Sequence, residues 1–504
     1  MARDTMGASP LRLGSAEGEI IRTIDRFFRA WGVEAYATGG FLRDALLGLA
    51  VHDIDISLAA DPLVIGRRLA DGLSGHYFAL AEERQMARVL LPAPGLHIDL
   101  LPLTAPIEED LRRRDYTIDA MAAPLAALAE GSLQLIDPTG GLADLRAGIV
   151  RATSEQALVD DPVRLLRGVR IATQLDFEIE PETFEMLRRR AALVSACAAE
   201  RQRDELMRML TTPRAGRGLQ LMEDAGLLQA VLPETSVMRG VQQPKEHHWD
   251  VFGHARATVE ALDILLAEAE PDEPSARHVW RELWSALVWW TGARGYLAEE
   301  IVMGTPRSAV LKLTGLLHDI GKPQTKSLDE TGRIRFFGHG DVGAEIAVRL
   351  LQRLRFSARE VAMVRAMIEA HLRPLQMAQQ GAPTRKAVYR FFRDTGEAGI
   401  DTLLLSLADH LGTVGPRLDM DGWQRHVALV NYIILTRFQE AEVVTPPRLL
   451  RGDELMAALG LSPGPVVGEL LEMIREAQAE GEVTTPEEAI ALAREHLRRQ
   501  GGAH

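Results

Sequence analysis

The feature that most constrains this chain is a glycine turn followed by two alternating aspartates, between Thr38 and Ser57. Residues 33–37 can form a strand, and Gly39 and Gly40 then allow a tight turn, because glycine adopts positive φ without a steric penalty. Residues 41–47 have helical spacing, so the free N–H groups at the start of this helix face the turn. Such an arrangement binds anions, typically a polyphosphate, and Arg43 lies one turn into the helix, where it is predicted to reach the same phosphates.

The second half of this stretch predicts a metal site. Residues two apart in a strand point to the same face, so Asp53 and Asp55 project together while Ile54 and Ile56 face the core. Two carboxylates on one strand are hard ligands suited to Mg²⁺, which takes the rest of its shell from water and substrate phosphates. An isolated Asp-x-Asp is more often a solvated strand edge. The glycine turn directly before it favours the metal site here.

These residues resemble a known family. Gly39 to Asp44 together with Asp53-Ile54-Asp55 are similar to the head of the class II nucleotidyltransferases, which include bacterial CCA-adding tRNA nucleotidyltransferases and poly(A) polymerases. Residues 113–121 resemble the family's Arg-Arg-Asp-Phe-Thr-Ile-Asn-Ala-Met signature, with Asp119 where the family usually has Asn. The resemblance implies that Gly40, Arg43 and Arg114 hold the triphosphate of the nucleotide.

A helix expected to begin with Asp160 as its cap carries a row of charged residues. Asp161, Arg164, Arg167 and Gly168/Arg170 recur at three- and four-residue spacing, so one helix face is expected to offer a carboxylate and a row of guanidiniums. By itself this pattern favours salt bridges within the helix. It also resembles the family's Glu-Asp-x-x-Arg nucleotide-reading motif, which implies that this face binds the nucleotide. Asp161 would accept a hydrogen bond from an exocyclic amine of C or A, and Arg164 would donate one to the ring.

The segment before the arginine signature bears on which nucleotides are added. Residues 87–91 and 96–100 predict a hairpin across residues 92–95, which would present Asp99 as a third carboxylate beside Asp53 and Asp55. CCA-adding relatives carry a flexible loop between the Asp-x-Asp strand and the arginine helix, whereas residues 100–107 here contain two prolines and four large aliphatic residues. A shortened loop resembles the CC-adding members of the family. We therefore expect C to be added well and the terminal A poorly.

A second centre of chemistry is expected further along the chain. Neutral imidazoles and carboxylates bind a divalent transition metal with water positions left open. His318-Asp319, followed by Gly321-Lys322-Pro323, resembles the HD phosphohydrolase motif. The resemblance implies a primary metal site and a set for a second metal or the phosphate. The primary residues would be His254, His318, Asp319 and Asp409, and the second set His339 and His371.

Composition sets the remaining expectations. A chain of 504 residues is too long for one core and predicts several domains. The single Cys197 excludes an intrachain disulfide and fits a cytoplasmic protein, and no stretch is apolar enough to predict a membrane span. The net charge of −14 is only a weak argument against a nucleic-acid partner, because a local basic groove suffices to bind phosphates.

Together these patterns predict an α/β nucleotidyltransferase head with a small mixed sheet (residues 18–150), followed by all-α regions. These are a neck with the nucleotide-reading helix (151–238), an HD domain (239–425) and a tRNA-binding tail (426–504). The expected reaction transfers C or A from CTP or ATP to the tRNA 3′ end and releases pyrophosphate. Mg²⁺ is expected at the head and a transition metal at the HD site. The alternatives are a poly(A) polymerase, an enzyme that adds only CC, and an HD phosphohydrolase whose head merely binds RNA. The oligomeric state is left open.

Overall fold

The computed structural model describes residues 15–501, except positions 52, 82–84, 93–95 and 380. The chain divides into two compact units. The first comprises the residues up to 197 together with 221–230, and the second comprises 198–220 and the residues from 231 onward. The predicted division into four domains remains a prediction. The predicted hairpin turn includes residues 93–95, which lie outside the described residues.

The first unit is built on a six-stranded mixed sheet with the strand order β3-β4-β5-β2-β1-β6. Strands β2 and β5 run parallel, and the other neighbouring strands pair antiparallel. This sheet confirms the predicted fold class, although β3 was not predicted. The strands are β1 (Ala35–Thr38), β2 (Asp53–Leu58), β3 (His76–Ala81), β4 (Met86–Leu90), β5 (His97–Pro102) and β6 (Ala122–Pro124).

Helices cover this sheet and continue beyond it. The first helix shows why they form, because Ile21, Ile24 and Phe28 recur at helical spacing and are all buried in the core of the sheet. Two short strands, β7 (Ile149–Val150) and β8 (Glu178–Ile179), pair beside the later helices. The helices are α1 (Ser15–Trp31), α2 (Gly39–Leu47), α3 (Pro62–Leu73), α4 (Ile107–Arg112), α5 (Leu125–Ala129), α6 (Gly141–Ala147), α7 (Glu155–Asp160), α8 (Val163–Leu175) and α9 (Pro181–Arg190).

The predicted helix cap at Asp160 is wrong. Asp160 is the last residue of α7, and its carboxylate accepts a hydrogen bond from Gln156 at 2.6 Å. Helix α8 begins at Val163 after Pro162, whose side chain has no oxygen to cap the helix. The preceding helix α7 does have a side-chain cap, because the Ser154 hydroxyl accepts a hydrogen bond from the Ala157 amide at 3.1 Å.

The second unit is almost entirely helical. The next three helices along the chain are α10 (Ala199–Leu210), α11 (Ala215–Asp224) and α12 (Leu227–Val231). Helix α10 belongs to the second unit, α11 crosses the boundary between the units, and most of α12 belongs to the first unit. Two short hairpins interrupt it, formed by β9 (Glu300–Val302) with β10 (Thr305–Pro306) and by β11 (Lys326–Leu328) with β12 (Ile334–Phe336). The first helices after α12 are α13 (Val251–Leu265), α14 (Pro274–Ala286), α15 (Ala293–Ala298), α16 (Arg307–Leu317), α17 (Lys322–Thr325), α18 (His339–Arg353) and α19 (Ala358–Ala370).

The remaining helices include a small bundle with a core of its own. They are α20 (Arg373–Met377), α21 (Arg385–Thr395), α22 (Gly399–Val414), α23 (Met420–Gln439), α24 (Ala441–Val444), α25 (Gly452–Leu459), α26 (Pro465–Glu480) and α27 (Pro486–Gly501). The last three pack around Leu455, Leu470 and Ala489. Arg390 on α21 donates to both carboxylate oxygens of Glu476 on α26, at 2.5 and 2.6 Å, and this ion pair connects the bundle to α21.

Close helix packing positions the histidines of the predicted HD site. A Cβ on Gly412 of α22 would lie 2.7 Å from the hydroxyl oxygen of Thr258 on α13, so only glycine allows this approach. Helices α16 and α19 end immediately before His318 and His371, respectively. Both histidines are therefore placed at buried helix ends. No helix in the described part of the chain is both long and apolar enough to cross a membrane.

Candidate functional site

The glycine turn lies directly against two charged side chains. Gly39 has φ +66° and begins α2, and a Cβ at this position would lie 3.1 Å from Asp55 Oδ2 and 3.3 Å from Arg114 Nη1. The positive φ favours glycine here, and a Cβ would also crowd both side chains. The turn therefore brings the start of a helix next to one carboxylate and one guanidinium, as the sequence predicts for an anion site.

The two aspartates of β2 differ in their surroundings. The side chain of Asp53 is half exposed, and its Oδ1 lies 3.1 Å from Nδ1 of His97. Asp55 is partly buried and lies opposite Asp99 in the parallel pairing of β2 with β5. Burial and the charge of Asp99 raise the pKa of Asp55 to about 6, although the nearby Arg114 opposes this shift. A divalent cation at this carboxylate would favour its ionised form.

A cavity of about 440 Å³ opens beside this carboxylate. Its volume lies within the range of small-molecule sites, and its many charged groups suit a charged ligand. Several predicted residues contribute to it: Gly40, Asp55, Arg114, Arg164 and Arg167. The remaining lining residues are Gly39, Ser57, Met86, Leu101, Pro102, Asp110, Arg113, Asp115 and Asp119.

Arg114 and Arg43, both predicted to hold phosphates, have different environments. Arg114 donates to the Ser57 hydroxyl at 3.0 Å and to Asp110 Oδ2 at 3.1 Å, and these contacts hold its guanidinium at the cavity wall. Arg43 is nearly buried and donates to Asp119 at 2.7 Å and to Asp44 at 2.8 Å. It does not belong to the described cavity lining, so its contact with phosphate remains a prediction.

The predicted reading helix contributes only part of its charged face to the cavity. Arg164 on α8 donates to the backbone oxygen of Ala157 at 2.9 Å, and Arg167 donates to Asp115 at 3.0 Å. Burial opposes the ionisation of Asp115, but Arg167 and Arg164 hold its pKa below the usual value. Asp161 follows α7 in a non-helical conformation and precedes α8, so the prediction that it lies on the helix face of Arg164 is wrong. Arg170 donates to Gln174 at 3.0 Å. Neither Asp161 nor Arg170 belongs to the described cavity lining.

The second unit brings together all six residues of the predicted metal set. His254 Nε2 lies 3.1 Å from His318 Nε2 and 3.0 Å from Asp409 Oδ1. His339 Nε2 and His371 Nε2 are 3.2 Å apart. Asp319 lies between the two groups. Its Oδ2 is 3.2 Å from both His254 and His318, and its Oδ1 is 3.5 Å from His339 and 3.9 Å from His371.

Backbone carbonyls orient three of these imidazoles. Nδ1 of His318 lies 2.9 Å from the oxygen of Gly315, and Nδ1 of His339 and His371 lie 2.7 Å from the oxygens of Phe336 and Ile368. A carbonyl only accepts, so Nδ1 carries the hydrogen and the Nε2 lone pair points to the cluster. Converging Nε2 atoms and carboxylate oxygens fit a divalent transition metal, and three overlapping groups of these residues are close enough to share ions.

Four residues that the structure places at these sites were given no role of their own from the sequence, although Lys322 lies within the Gly321-Lys322-Pro323 motif. Arg88 donates to both carboxylate oxygens of Asp99, His97 contacts Asp53, and Asp115 forms an ion pair with Arg167. Lys322 lies with its Nζ 2.6 Å from Asp319 Oδ2 and donates to Gln243 at 2.7 Å. Burial opposes the ionisation of Asp319, but His318 and Lys322 hold its pKa well below the usual range. The pairing of Arg88 with Asp99 follows from the register of the predicted hairpin, which offered a usable signal.

The first unit combines a mixed sheet with a charged cavity beside its glycine turn, and comparison with protein families assigns the chain to the class of nucleotidyltransferases. The family described as "Poly A polymerase head domain" matches residues 35–101 and 97–151, and "Probable RNA and SrmB- binding site of polymerase A" matches residues 176–238. An "HD domain" matches residues 294–413, which leaves out His254. A family described as "tRNA nucleotidyltransferase domain 2 putative" matches residues 430–493.

Similar proteins narrow this class. The A-adding tRNA nucleotidyltransferase of Deinococcus radiodurans is 37% identical over 464 residues, which cover 91% of this chain and 94% of the relative. The CC-adding enzyme of Thermus thermophilus is 35% identical over 467 residues, 91% and 93% of the two chains. The structure of the Thermotoga maritima CCA-adding enzyme complexed with tRNA shares the fold with a TM-score of 0.58, at 20% identity and over 96% and 97% of the two chains. This chain belongs to the family of tRNA nucleotidyltransferases.

Proposed function

We propose that this protein adds cytidines to the tRNA 3′ end and adds the terminal adenosine poorly. The observation that carries the proposal is the connection between the sheet and the arginine signature. Strand β5 ends at Pro102 and α4 begins at Ile107, so only residues 103–106 connect them. This connection, which lies wholly within the described residues, leaves no room for the flexible loop that the resemblance assigns to CCA-adding relatives, where it helps the site change from C to A.

The short connection is also fixed at both ends. The amide of Leu103 donates to the oxygen of Leu58 at 2.9 Å, and the oxygen of Pro106 accepts from Glu109 at 2.9 Å. Ile107 is buried in a small core that includes Leu111. Movement of this segment would break these contacts. The fixed segment supports a site that accepts one kind of nucleotide and does not change its specificity between C and A. The two similar enzymes named above add A and CC, respectively, so overall identity does not decide between these nucleotides.

The residues of the head supply the parts that this reaction needs. Asp53 and Asp55 would hold Mg²⁺, because they present hard oxygen ligands on one face of β2. When bound, the ion stabilises the negative charge that develops on the transferring phosphate. Gly39, Gly40, Arg114 and Arg164 line one cavity, which supports roles in which the turn and Arg114 bind the triphosphate and Arg164 contacts the base. CTP and the tRNA 3′ end are the proposed substrates.

The test offers labelled CTP and ATP to tRNA transcripts that end in the discriminator base, in C, or in CC. We expect the first two to stop at CC and the third to remain unextended with ATP. Asp55→Asn serves as the inactive control, because the activity belongs to the head. Prompt formation of CCA ends would refute the proposal. Extension only of the CC transcript would make this an A-adding enzyme, and long A tails would make it a poly(A) polymerase.

We also propose a second, metal-dependent phosphohydrolase activity at the cluster around Asp319. The convergence of His254, His318, His339 and His371 on one buried carboxylate supports it. The test measures release of phosphate from a chromogenic phosphomonoester and a phosphodiester, with Mn²⁺, Co²⁺ or Ni²⁺ added after chelation. Hydrolysis should appear with at least one metal and be lost in Asp319→Asn. No hydrolysis of either ester with any metal would count against the proposal.

A further inference from the structure

Three neighbouring strands carry charged side chains in one row across the sheet. Arg88 on β4 lies opposite Asp99 on β5, and Asp99 lies opposite Asp55 on β2. Side chains of directly paired residues share a face of the sheet, so these three groups are adjacent. The row therefore places a cation and a further carboxylate next to one of the proposed metal ligands.

Arg88 interacts chiefly with the middle residue of this row. Its Nε donates to Asp99 Oδ1 at 2.7 Å and its Nη2 to Asp99 Oδ2 at 2.6 Å. The same Nη2 is 4.0 Å from Asp53 Oδ1. A two-pronged contact of guanidinium with carboxylate is among the strongest ion pairs, and it engages both oxygens of Asp99. The side chain of Asp99 is also only 14% exposed, which limits competition from water.

The other two carboxylates are more available to a ligand. Asp55 lines the nucleotide cavity, and the side chain of Asp53 is 51% exposed. Three ionised carboxylates side by side would carry three negative charges, and the Arg88 guanidinium offsets one of them. The remaining charge matches a single divalent cation bound through Asp53 and Asp55.

We propose that Arg88 is a positioning residue that holds Asp99 in an ion pair, so that the metal of the nucleotidyl-transfer centre is bound through Asp53 and Asp55 without Asp99. This inference rests on the proposed metal site of the head, but not on which nucleotide is added. It implies weak metal binding without nucleotide, because two carboxylates and water leave positions for the substrate phosphates to fill. Removal of Arg88 would release a third carboxylate as a ligand and tighten that binding.

The experiment measures Mn²⁺ binding to the full-length protein without nucleotide, by electron paramagnetic resonance of the free ion. All variants keep the metal residues of the second unit unchanged, so that site contributes equally throughout, and Asp55→Asn identifies the head site. Asp99→Asn should leave the head affinity within about 2-fold of the wild type, whereas Arg88→Met should tighten it about 10-fold, because affinity for a hard divalent cation rises with the number of charged oxygen ligands. The double variant Arg88→Met/Asp99→Asn should return to the wild-type affinity.

Two results would overturn the inference. A loss of about 10-fold or more in Asp99→Asn would show that Asp99 binds the metal despite Arg88. An unchanged affinity in a folded Arg88→Met protein, checked by its melting temperature, would show that Arg88 does not restrain Asp99. Arg88→Lys, which cannot engage both oxygens, should be intermediate. If Asp55→Asn leaves Mn²⁺ binding unchanged, the proposed metal site fails and the inference fails with it. Failure of cytidine addition alone leaves this test intact.

Discussion

The hydroxyl oxygen of Tyr116 lies 2.1 Å from the place that a Cβ on Gly168 would occupy. The same hydroxyl donates to the backbone oxygen of Arg164 at 2.7 Å. Tyr116 belongs to the arginine signature and Gly168 to α8, so the absence of a side chain at position 168 lets these two segments meet. This contact fixes the part of α8 from which Arg164 and Arg167 reach the cavity.

We expect Gly168→Ala to destabilise the protein and to disturb the cavity. A methyl group would have to displace a fully buried ring, and such overpacking costs about 1–3 kcal/mol. The free energy of unfolding in urea measures this cost. Gly295→Ala is the matched control, because no atom lies within 4 Å of its added Cβ and its φ is not positive. Equal stability of the two variants would contradict the packing argument.

We expect substitutions in one metal site to remove only the activity of that site. Asp53→Ala should abolish nucleotide addition and leave the proposed phosphohydrolase activity unchanged, because their ligands lie in different units of the chain. His318→Ala should have the converse effect. Both activities are measured on each variant, together with its circular dichroism spectrum. Loss of both activities from a folded single variant would rule out two separate metal sites.

The Arg164 side chain should matter for the choice of nucleotide. Arg164→Ala is expected to lower the preference for CTP over UTP and ATP, because a lost polar contact to a base costs about 1–3 kcal/mol of selectivity. Asp161→Ala should have a smaller effect, because Asp161 does not line the described cavity. Relative kcat/KM values for the three nucleotides test both variants. Unchanged ratios with a uniformly raised KM would make Arg164 a phosphate contact instead.

Stability should fall in mild acid because of a buried histidine. His426 is 4% exposed, and burial lowers its pKa to about 4 from an ordinary value of 6.5. The unfolded chain therefore takes up a proton below about pH 6.5 that the folded protein refuses until about pH 4. Within that window the free energy of unfolding decreases as the pH falls, by at most about 1.4 kcal/mol per pH unit for one proton. His426→Gln should show a shallower decline in urea unfolding between pH 7 and pH 4, and an identical slope would refute the assignment.

The head was largely predictable because its signals are local. The glycine turn, the alternating aspartates and the hairpin strands each follow from residues within a few positions of one another. Strand β3 was missed, since His76–Ala81 has no clear alternation of polar and apolar residues. The Arg43–Asp119 pair could not be predicted, because 76 positions separate the two residues and only the folded sheet brings them together.

The second centre was predictable in its members and not in its geometry. The order of histidines and aspartates pointed to a metal set, yet their spacing along the chain says nothing about how Asp319 faces two groups of imidazoles. That arrangement depends on where α16 and α19 end. The hydrogen bond from Lys322 to Gln243 likewise could not be predicted, because Gln243 lies 79 positions earlier in the chain.

The anchoring of the imidazoles has a consequence for how this centre acquires its ion. His318 and His371 follow the last residues of α16 and α19, and each is tied to a backbone oxygen three residues earlier. Helix ends, and not the ion, therefore keep the ligands in place. A fixed arrangement of ligands selects ions by how well they fit it, and among the ions that fit, occupancy should follow the intrinsic preference of imidazole ligands and the supply of each metal. Protein produced in media with different trace metals should carry different ions in one unchanged fold.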